Sequence, residues 1–157
     1  MKVNKKLLIQ SIALPLAVGA LSAFFTSNAM KSFSDLIQPP LSPPGWVFPV
    51  VWTILYILMG ISSYLIQTSG ADPELISDAM LLYNYQLIVN FLWPVFFFSF
   101  EWYLIAFLWL ILLWILVVFM IVRFSKISKT DAYLNIPYIL WITFAGYLNF
   151  AIWWLTW

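Results

Sequence analysis

Five uncharged apolar stretches divide this chain: Leu7–Phe25, Trp46–Ile66, Met80–Phe100, Trp102–Val122 and Tyr133–Trp157. Each has about the 20 residues that a helix needs to cross a hydrocarbon core of about 30 Å. Lipid offers no partner to a backbone amide, so such stretches must pair their own peptide groups and become helices. A membrane barrel would need strands of about ten residues alternating polar and apolar, and that pattern is absent. Charged residues make up 8% of the chain and hydrophobic residues 64%. So few charges cannot cover the surface of a soluble domain, and a disordered chain is polar and strongly charged. The pattern therefore predicts an all-α membrane protein, a five-transmembrane-helix bundle forming a single domain over 1–157. Its helices are expected near 7–25, 46–66, 80–99, 102–122 and 133–156, with a long first loop at 26–45. The first stretch also has the outline of a secretory signal, with Lys2, Lys5 and Lys6 before the apolar run and Ser27-Asn28-Ala29 after it. Its run is long for a signal and the cleavage site lacks the preferred small pair, so it reads as a retained helix.

The residues between the spans set orientation and exclude several functions. Lys2, Lys5, Lys6, Arg123, Lys126 and Lys129 fall on one side of a five-span chain, and Lys31 alone on the other. The positive-inside rule then places the N-terminus inside. A formal net charge of +1 gives nucleic acid no basic surface to bind. The chain has no Cys and no His. It thus lacks a thiolate metal site, a sulfur nucleophile, a catalytic imidazole and the usual haem ligand. Asp72-Pro73-Glu74 reads as a turn, with Asp78 or Ser77 capping the third helix. Ser99–Trp102 is short enough to force the third and fourth helices into an antiparallel hairpin.

The 26–45 loop is unusual in being stiff. Ala29–Gln38 reads as a short helix in the membrane interface, and Pro39, Pro40, Pro43 and Pro44 then place four prolines in six residues before Gly45. Such a run is extended and rigid, which suits a lid over a cavity better than a spacer. Pro15 and Pro94 lie deep in their spans, where a missing donor bends a helix; Pro49 and Pro137 lie near helix starts, where it costs little.

Polar side chains within hydrocarbon are costly and look inward, so their angular positions carry information. On the third span Tyr83, Gln86, Asn90 and Trp93 form one stripe about 80° wide at 100° per residue. On the fifth, Tyr138, Trp141, Ala145 and Asn149 form another, and on the second, Trp52, Tyr56, Met59 and Ser63 a third. Interhelical packing explains any one amide in such a stripe. Three matching faces of large aromatics and amides point instead to a shared pocket. The chain holds 10 Trp, 8 Tyr and 14 Phe. Trp46, Trp102, Trp153, Trp154 and Trp157 lie near span ends, as interfacial anchors do. Trp52, Trp93 and Trp141 share stripes with amides, and flat indole faces suit a flat π-rich ligand.

Three blocks of residues match a known family. They are Pro39-Pro40-Leu41-Ser42-Pro43-Pro44-Gly45-Trp46 with Val51-Trp52; Tyr85-Gln86 with Asn90, Trp93 and Phe96-Phe97; and Ile136-Pro137-Tyr138 with Trp141, Phe144-Ala145 and Tyr147-Leu148-Asn149. In this order and spacing, over nearly the whole chain, they resemble the TspO/MBR family, the tryptophan-rich sensory proteins related to the mitochondrial translocator protein (peripheral benzodiazepine receptor). The resemblance implies a five-helix bundle, usually a homodimer, that binds porphyrins and synthetic aromatic ligands in a pocket closed by the first loop. It implies that Trp52 and Asn90 donate hydrogen bonds to a ligand carbonyl, that Tyr56, Trp93 and Trp141 line the pocket, and that Ala145 borders it. It also links Trp141 to light-dependent porphyrin breakdown. Animal members carry a tyrosine followed by a basic residue on the fifth helix; here Leu148–Trp157 contains neither Lys nor Arg, which argues against cholesterol recognition of that kind. The middle of the fourth span, Trp109-Leu110-Ile111-Leu112, lacks the acidic residue that family members often have there.

Together these readings make the chain a membrane receptor or sensor for porphyrins, with Trp52, Tyr56, Gln86, Asn90, Trp93, Trp141, Ala145 and Asn149 as ligand-binding residues. Pro39, Pro40, Pro43, Pro44 and Gly45 form its lid. No cofactor is obligatory, no metal site is expected, and membrane lipid and the porphyrin are its partners. The apolar spans hold no charge, so acid–base or nucleophilic catalysis has no residue to use there. Trp141-dependent photo-oxidation of a bound porphyrin is the one enzymatic reading left open. A metal-free porphyrin fits better than haem, and Lys31 is the single basic residue available to its propionates on the outer side. A tetrapyrrole or lipid transporter and a ligand-free structural protein are the alternatives. Small-residue pairs Ala13/Ala17 and Gly19/Ala23 suit self-association. No mitochondrial presequence precedes the first span, which suits a bacterial cytoplasmic membrane.

Overall fold

A computed structural model describes residues 2–33 and 38–157, with the backbone alone for 28–33. Five of its helices are long and apolar enough to cross a membrane, and no strand occurs among the described residues. The elements are α1 (Lys5–Phe33), α2 (Val47–Gln67), α3 (Pro73–Pro94) continued by a π-helical turn (Val95–Ser99), α4 (Tyr103–Ile127), the short α5 (Lys129–Tyr133) and α6 (Ile136–Thr156). α1 packs along α2 and against α3 and the π turn, α3 packs on α4, and α4 on α6. α6 meets α2 and α3 through side chains rather than by close backbone contact. Outward faces are apolar, with Ile54, Leu81, Ile88, Leu108, Phe119 and Leu140 exposed. Apolar exposure on every span is the surface of a protein solvated by lipid.

Local chemistry explains most boundaries. Asn4 starts α1 by accepting a hydrogen bond from Leu7 N at 3.1 Å. α1 then runs to Phe33, eight residues into the stretch expected as loop. Neither glycine nor proline follows Gly19 until Pro39. Thr26 and Ser27 turn their hydroxyls back to Ser22 O (2.8 Å) and Phe24 O (3.0 Å), so they continue the helix instead of ending it. The expected interface helix over Ala29–Gln38 is in part this extension, and residues 34–37 lie outside the described residues. α3 starts earlier than its apolar run, at Pro73. Asp72 rather than Asp78 or Ser77 is the cap, accepting from Glu74 N at 3.0 Å with proline at the first helical position. α4 likewise continues past its apolar run to Ile127, carrying Arg123 and Lys126 near its C-terminus, where the helix dipole favours cations.

Close approach of α1 and α2 depends on two glycines. A β-carbon on Gly60 would lie 2.7 Å from Ser11 O, against α1 backbone, and one on Gly19 would collide with the Tyr56 ring. Gly19 is therefore spent inside the chain, while Ala13 and Ala17 face outward. α1 continues unbroken through Pro15. Pro94 has the larger effect: beyond it the ladder lengthens, with Phe100 N bonded to Val95 O at 3.0 Å and Trp102 N to Phe96 O at 2.9 Å. This π turn and Glu101, whose φ of 56° is left-handed, close the hairpin into α4. Trp109 Nε1 then donates to Val89 O at 2.8 Å and pins α4 to α3.

Candidate functional site

All three stripes face the interior. Tyr56, Met59 and Ser63 on α2, Tyr83, Gln86 and Asn90 on α3, and Tyr138, Ala145 and Asn149 on α6 are buried; Trp52, Trp93 and Trp141 are half-buried. Helical geometry puts each stripe on one side, and the cost of an amide in lipid turns that side inward.

The stripes meet in one hydrogen-bonded chain. Tyr56 OH donates to Asn90 Oδ1 at 3.0 Å. Asn90 Nδ2 donates to Tyr138 OH at 2.6 Å. Tyr138 OH donates in turn to Gln86 Oε1 at 2.7 Å, and Gln86 Nε2 lies 3.9 Å from Met59 Sδ. Trp52 stacks on Tyr56 with ring centroids 5.6 Å apart and meets Tyr138 edge-on at 6.2 Å. A second cluster joins Trp93 Nε1 to Asn149 Oδ1 at 3.0 Å and Asn149 Nδ2 to Tyr103 O at 2.8 Å, with Phe97 stacked on Trp93 at 5.1 Å. The amides thus hold helices together in this structure, as interhelical packing predicts.

Trp141 is different. Its ring meets Phe48 at 5.8 Å and Phe144 at 5.5 Å, yet its indole N–H is buried without a hydrogen-bond partner. Ala145 is four residues on, on the same face of α6. The Trp52 indole N–H makes no hydrogen bond among the described residues either. A buried unpaired donor forfeits about 1–3 kcal/mol, so its position asks for an acceptor.

The proline loop lies against α6. Tyr147 OH donates to Pro40 O at 2.8 Å, Pro39 is buried, and Ser42 N closes a turn on Pro39 O at 3.2 Å. Leu41 in that turn has φ 69°, and the buried Ser42 hydroxyl has no partner. Pro43 is half-buried, Pro44 and Gly45 are exposed, and nothing would meet a side chain at Gly45. The side chain of Lys31 lies outside the described residues.

Three residues that complete this arrangement are absent from the predicted ligand set: Tyr138, the hub of the chain, Phe48, and Tyr147, the tie to the loop. Tyr138 was visible in its stripe. Phe48 and Tyr147 carry no periodic signal, since their partners are distant in sequence. A separate groove of about 350 Å³ opens between α4 and α6, lined by Phe107, Leu110, Trp114, Ile142, Gly146 and Phe150 among others. None of the predicted ligand-binding residues lines it. No group of three or more His, Cys, Asp or Glu suited to a metal occurs among the described residues.

Five apolar spans around an aromatic and amide interior, with a proline loop hydrogen-bonded to the last of them, define a small multi-pass integral membrane protein. The TspO/MBR family model matches residues 11–155. The chain is 36% identical over 152 residues to the tryptophan-rich protein TspO of Chlorobaculum tepidum, covering 95% of this chain and 96% of the relative. It is 36% identical to protein CrtK of Rhodobacter capsulatus, covering 86% and 83%, and 32% identical to the human translocator protein, covering 84% and 79%. The chain belongs to the TspO/MBR family.

Proposed function

We propose that this protein is a membrane receptor or sensor for porphyrins and similar flat aromatic ligands, bound among α2, α3 and α6 beneath the proline loop. The buried, unpartnered indole N–H of Trp141 carries this reading, because a packed interior without a guest has no reason to strand a donor there. Trp52, Tyr56, Trp93 and Phe48 supply ring faces for a macrocycle, and Asn90 and Trp52 supply donors to its polar edge. For a smaller aromatic ligand that carries a carbonyl, admission at Asn90 exchanges the Tyr138 bond for one to the ligand, so little hydrogen bonding is lost. The propionates of a porphyrin would sit at the mouth, near water.

Protoporphyrin should quench tryptophan fluorescence saturably, with the midpoint raised about tenfold in Trp141→Phe, the worth of one buried hydrogen bond. An unchanged midpoint counts against the site. Loss of porphyrin absorbance under illumination, compared in the same pair, tests the secondary reading of light-dependent breakdown. The closed Tyr56–Asn90–Tyr138–Gln86 chain favours a second reading, a structural protein whose amides serve only packing. Ligand-induced thermal stabilisation separates the two. Transport would require ligand flux into sealed proteoliposomes. The charge asymmetry supports an N-terminus on the inner side of the membrane. A homodimer would use the outward Ala13/Ala17 face of α1, since Gly19 is occupied by Tyr56.

A further inference from the structure

The end of α4 leaves two cations on the outside of the bundle. Arg123 and Lys126 are both exposed, and no ion pair reaches either of them among the described residues. Three carboxylates, Asp72, Glu74 and Asp78, lie at the start of α3, at the same end of the molecule. α3 packs on α4, yet these charges do not meet. Tyr83 of α3 stacks on Phe124 of α4 with ring centroids 6.4 Å apart, so Phe124 marks the side of α4 turned to α3. At 100° per residue, Arg123 lies about 100° round the helix from Phe124 and Lys126 about 160°.

Phe119 and Val122 are exposed as well, and they share an arc of about 100° with the two cations. The charged face of α4 is thus continuous with apolar side chains that face lipid. Depth points the same way. α4 begins at Tyr103, and its uncharged run ends at Val122. At about 1.5 Å per residue, that run covers about 30 Å, the thickness of a hydrocarbon core. Arg123 then stands at the edge of the hydrocarbon and Lys126 about 4.5 Å beyond it, at the level of the lipid headgroups. The helix dipole favours cations in this last turn but supplies no counter-charge beside them.

We propose that Arg123 and Lys126 bind the headgroup of an anionic phospholipid whose acyl chains lie along Phe119 and Val122. A guanidinium forks onto phosphate oxygens, and the ammonium adds a second charge. A zwitterionic lipid brings a cation of its own to the same place and gains less. Free phosphate would meet the charges and leave the apolar arc untouched, so a lipid is the better match. The site lies on the outside of α4, away from the aromatic interior, so it stands or falls independently of the porphyrin reading.

Thermal melting of the full chain tests this in detergent micelles doped with phosphatidylglycerol or with phosphatidylcholine. Phosphatidylglycerol should raise the melting temperature saturably above the phosphatidylcholine value. Arg123→Gln and Lys126→Gln should each raise the half-saturating phosphatidylglycerol fraction about fivefold, the worth of one cation at an acidic lipid surface. Two single variants keep the test open if either fails to fold. Lys5→Gln combined with Lys6→Gln removes two exposed cations at the start of α1 and should leave that fraction within twofold. Equal melting of the parent in the two lipids would overturn the proposal, as would unshifted midpoints in both single variants. An equal loss in the Lys5 and Lys6 variant would replace the site by diffuse attraction between charges. Inorganic phosphate that reproduces the stabilisation without lipid would overturn the choice of a lipid.

Discussion

Asn90 shows how a single residue can serve two roles. It accepts from Tyr56 and donates to Tyr138, so it joins α3 to α2 and α6 at once. Interhelical hydrogen bonds in membrane proteins average well below their worth in an isolated pair. Asn90→Ala, which removes two of them, should therefore destabilise the bundle by only about 1–2 kcal/mol, read as a lower denaturation midpoint in detergent. Its porphyrin affinity should fall as well. A structural role alone predicts the stability loss, and no ligand would then raise the melting temperature of the parent. The inward position of Asn90 was legible from spacing, since Gln86, Asn90 and Trp93 recur at helical intervals. Its partner was not, because a stripe states which way a side chain points and leaves open what meets it. Trp141 shares a stripe with Tyr138 and Asn149, yet it is the one left without a hydrogen bond.

Helix ends divide in the same way. Spans were visible because lipid demands long apolar runs, but an apolar run marks the membrane rather than the helix. α1, α3 and α4 all extend beyond theirs into polar sequence, under the control of Asp72 as a cap and of Thr26 and Ser27 bonding back to their own helix. The α3–α4 hairpin was legible from its shortness, but the π turn before it was not. It follows from Pro94 together with the need to turn within Ser99–Trp102. Glu101 is strained there, with φ 56° and no glycine to relieve it. Glu101→Gly should raise the thermal midpoint by the equivalent of about 0.5–1 kcal/mol. A lower midpoint would mean that the exposed carboxylate makes a contact worth more than the backbone strain.

At the scale of the whole molecule, the loop and the bundle act together. Tyr147 reaches across more than a hundred residues of sequence to bond Pro40 O, and that bond ties the proline loop to α6. Tyr147→Phe should leave the fold intact while speeding both porphyrin binding and release several-fold in stopped-flow quenching, as one hydrogen bond of about 1 kcal/mol implies. Equal rates would remove the loop from the path of the ligand. Orientation can be read without interference because the chain has no native Cys. A single cysteine at Ser125 or Ser69 should be protected from an impermeant thiol reagent in intact cells, and one at Gly45 should be labelled.

By itself the amino-acid sequence determined the solvent, the number of spans, the hairpin and the faces turned inward. These follow from transfer free energies and helical repeat, which each segment carries alone. Tertiary structure decided what depends on distance between segments. It pairs Asn90 with Tyr56 and Tyr138, leaves Trp141 unpaired and brings Tyr147 to Pro40. It also brings the Ser62 and Asn135 side chains to the Asp131 backbone carbonyl. A hydrogen bond needs its atoms within about 3 Å, and no local pattern states which residues the packing of the bundle will bring that close.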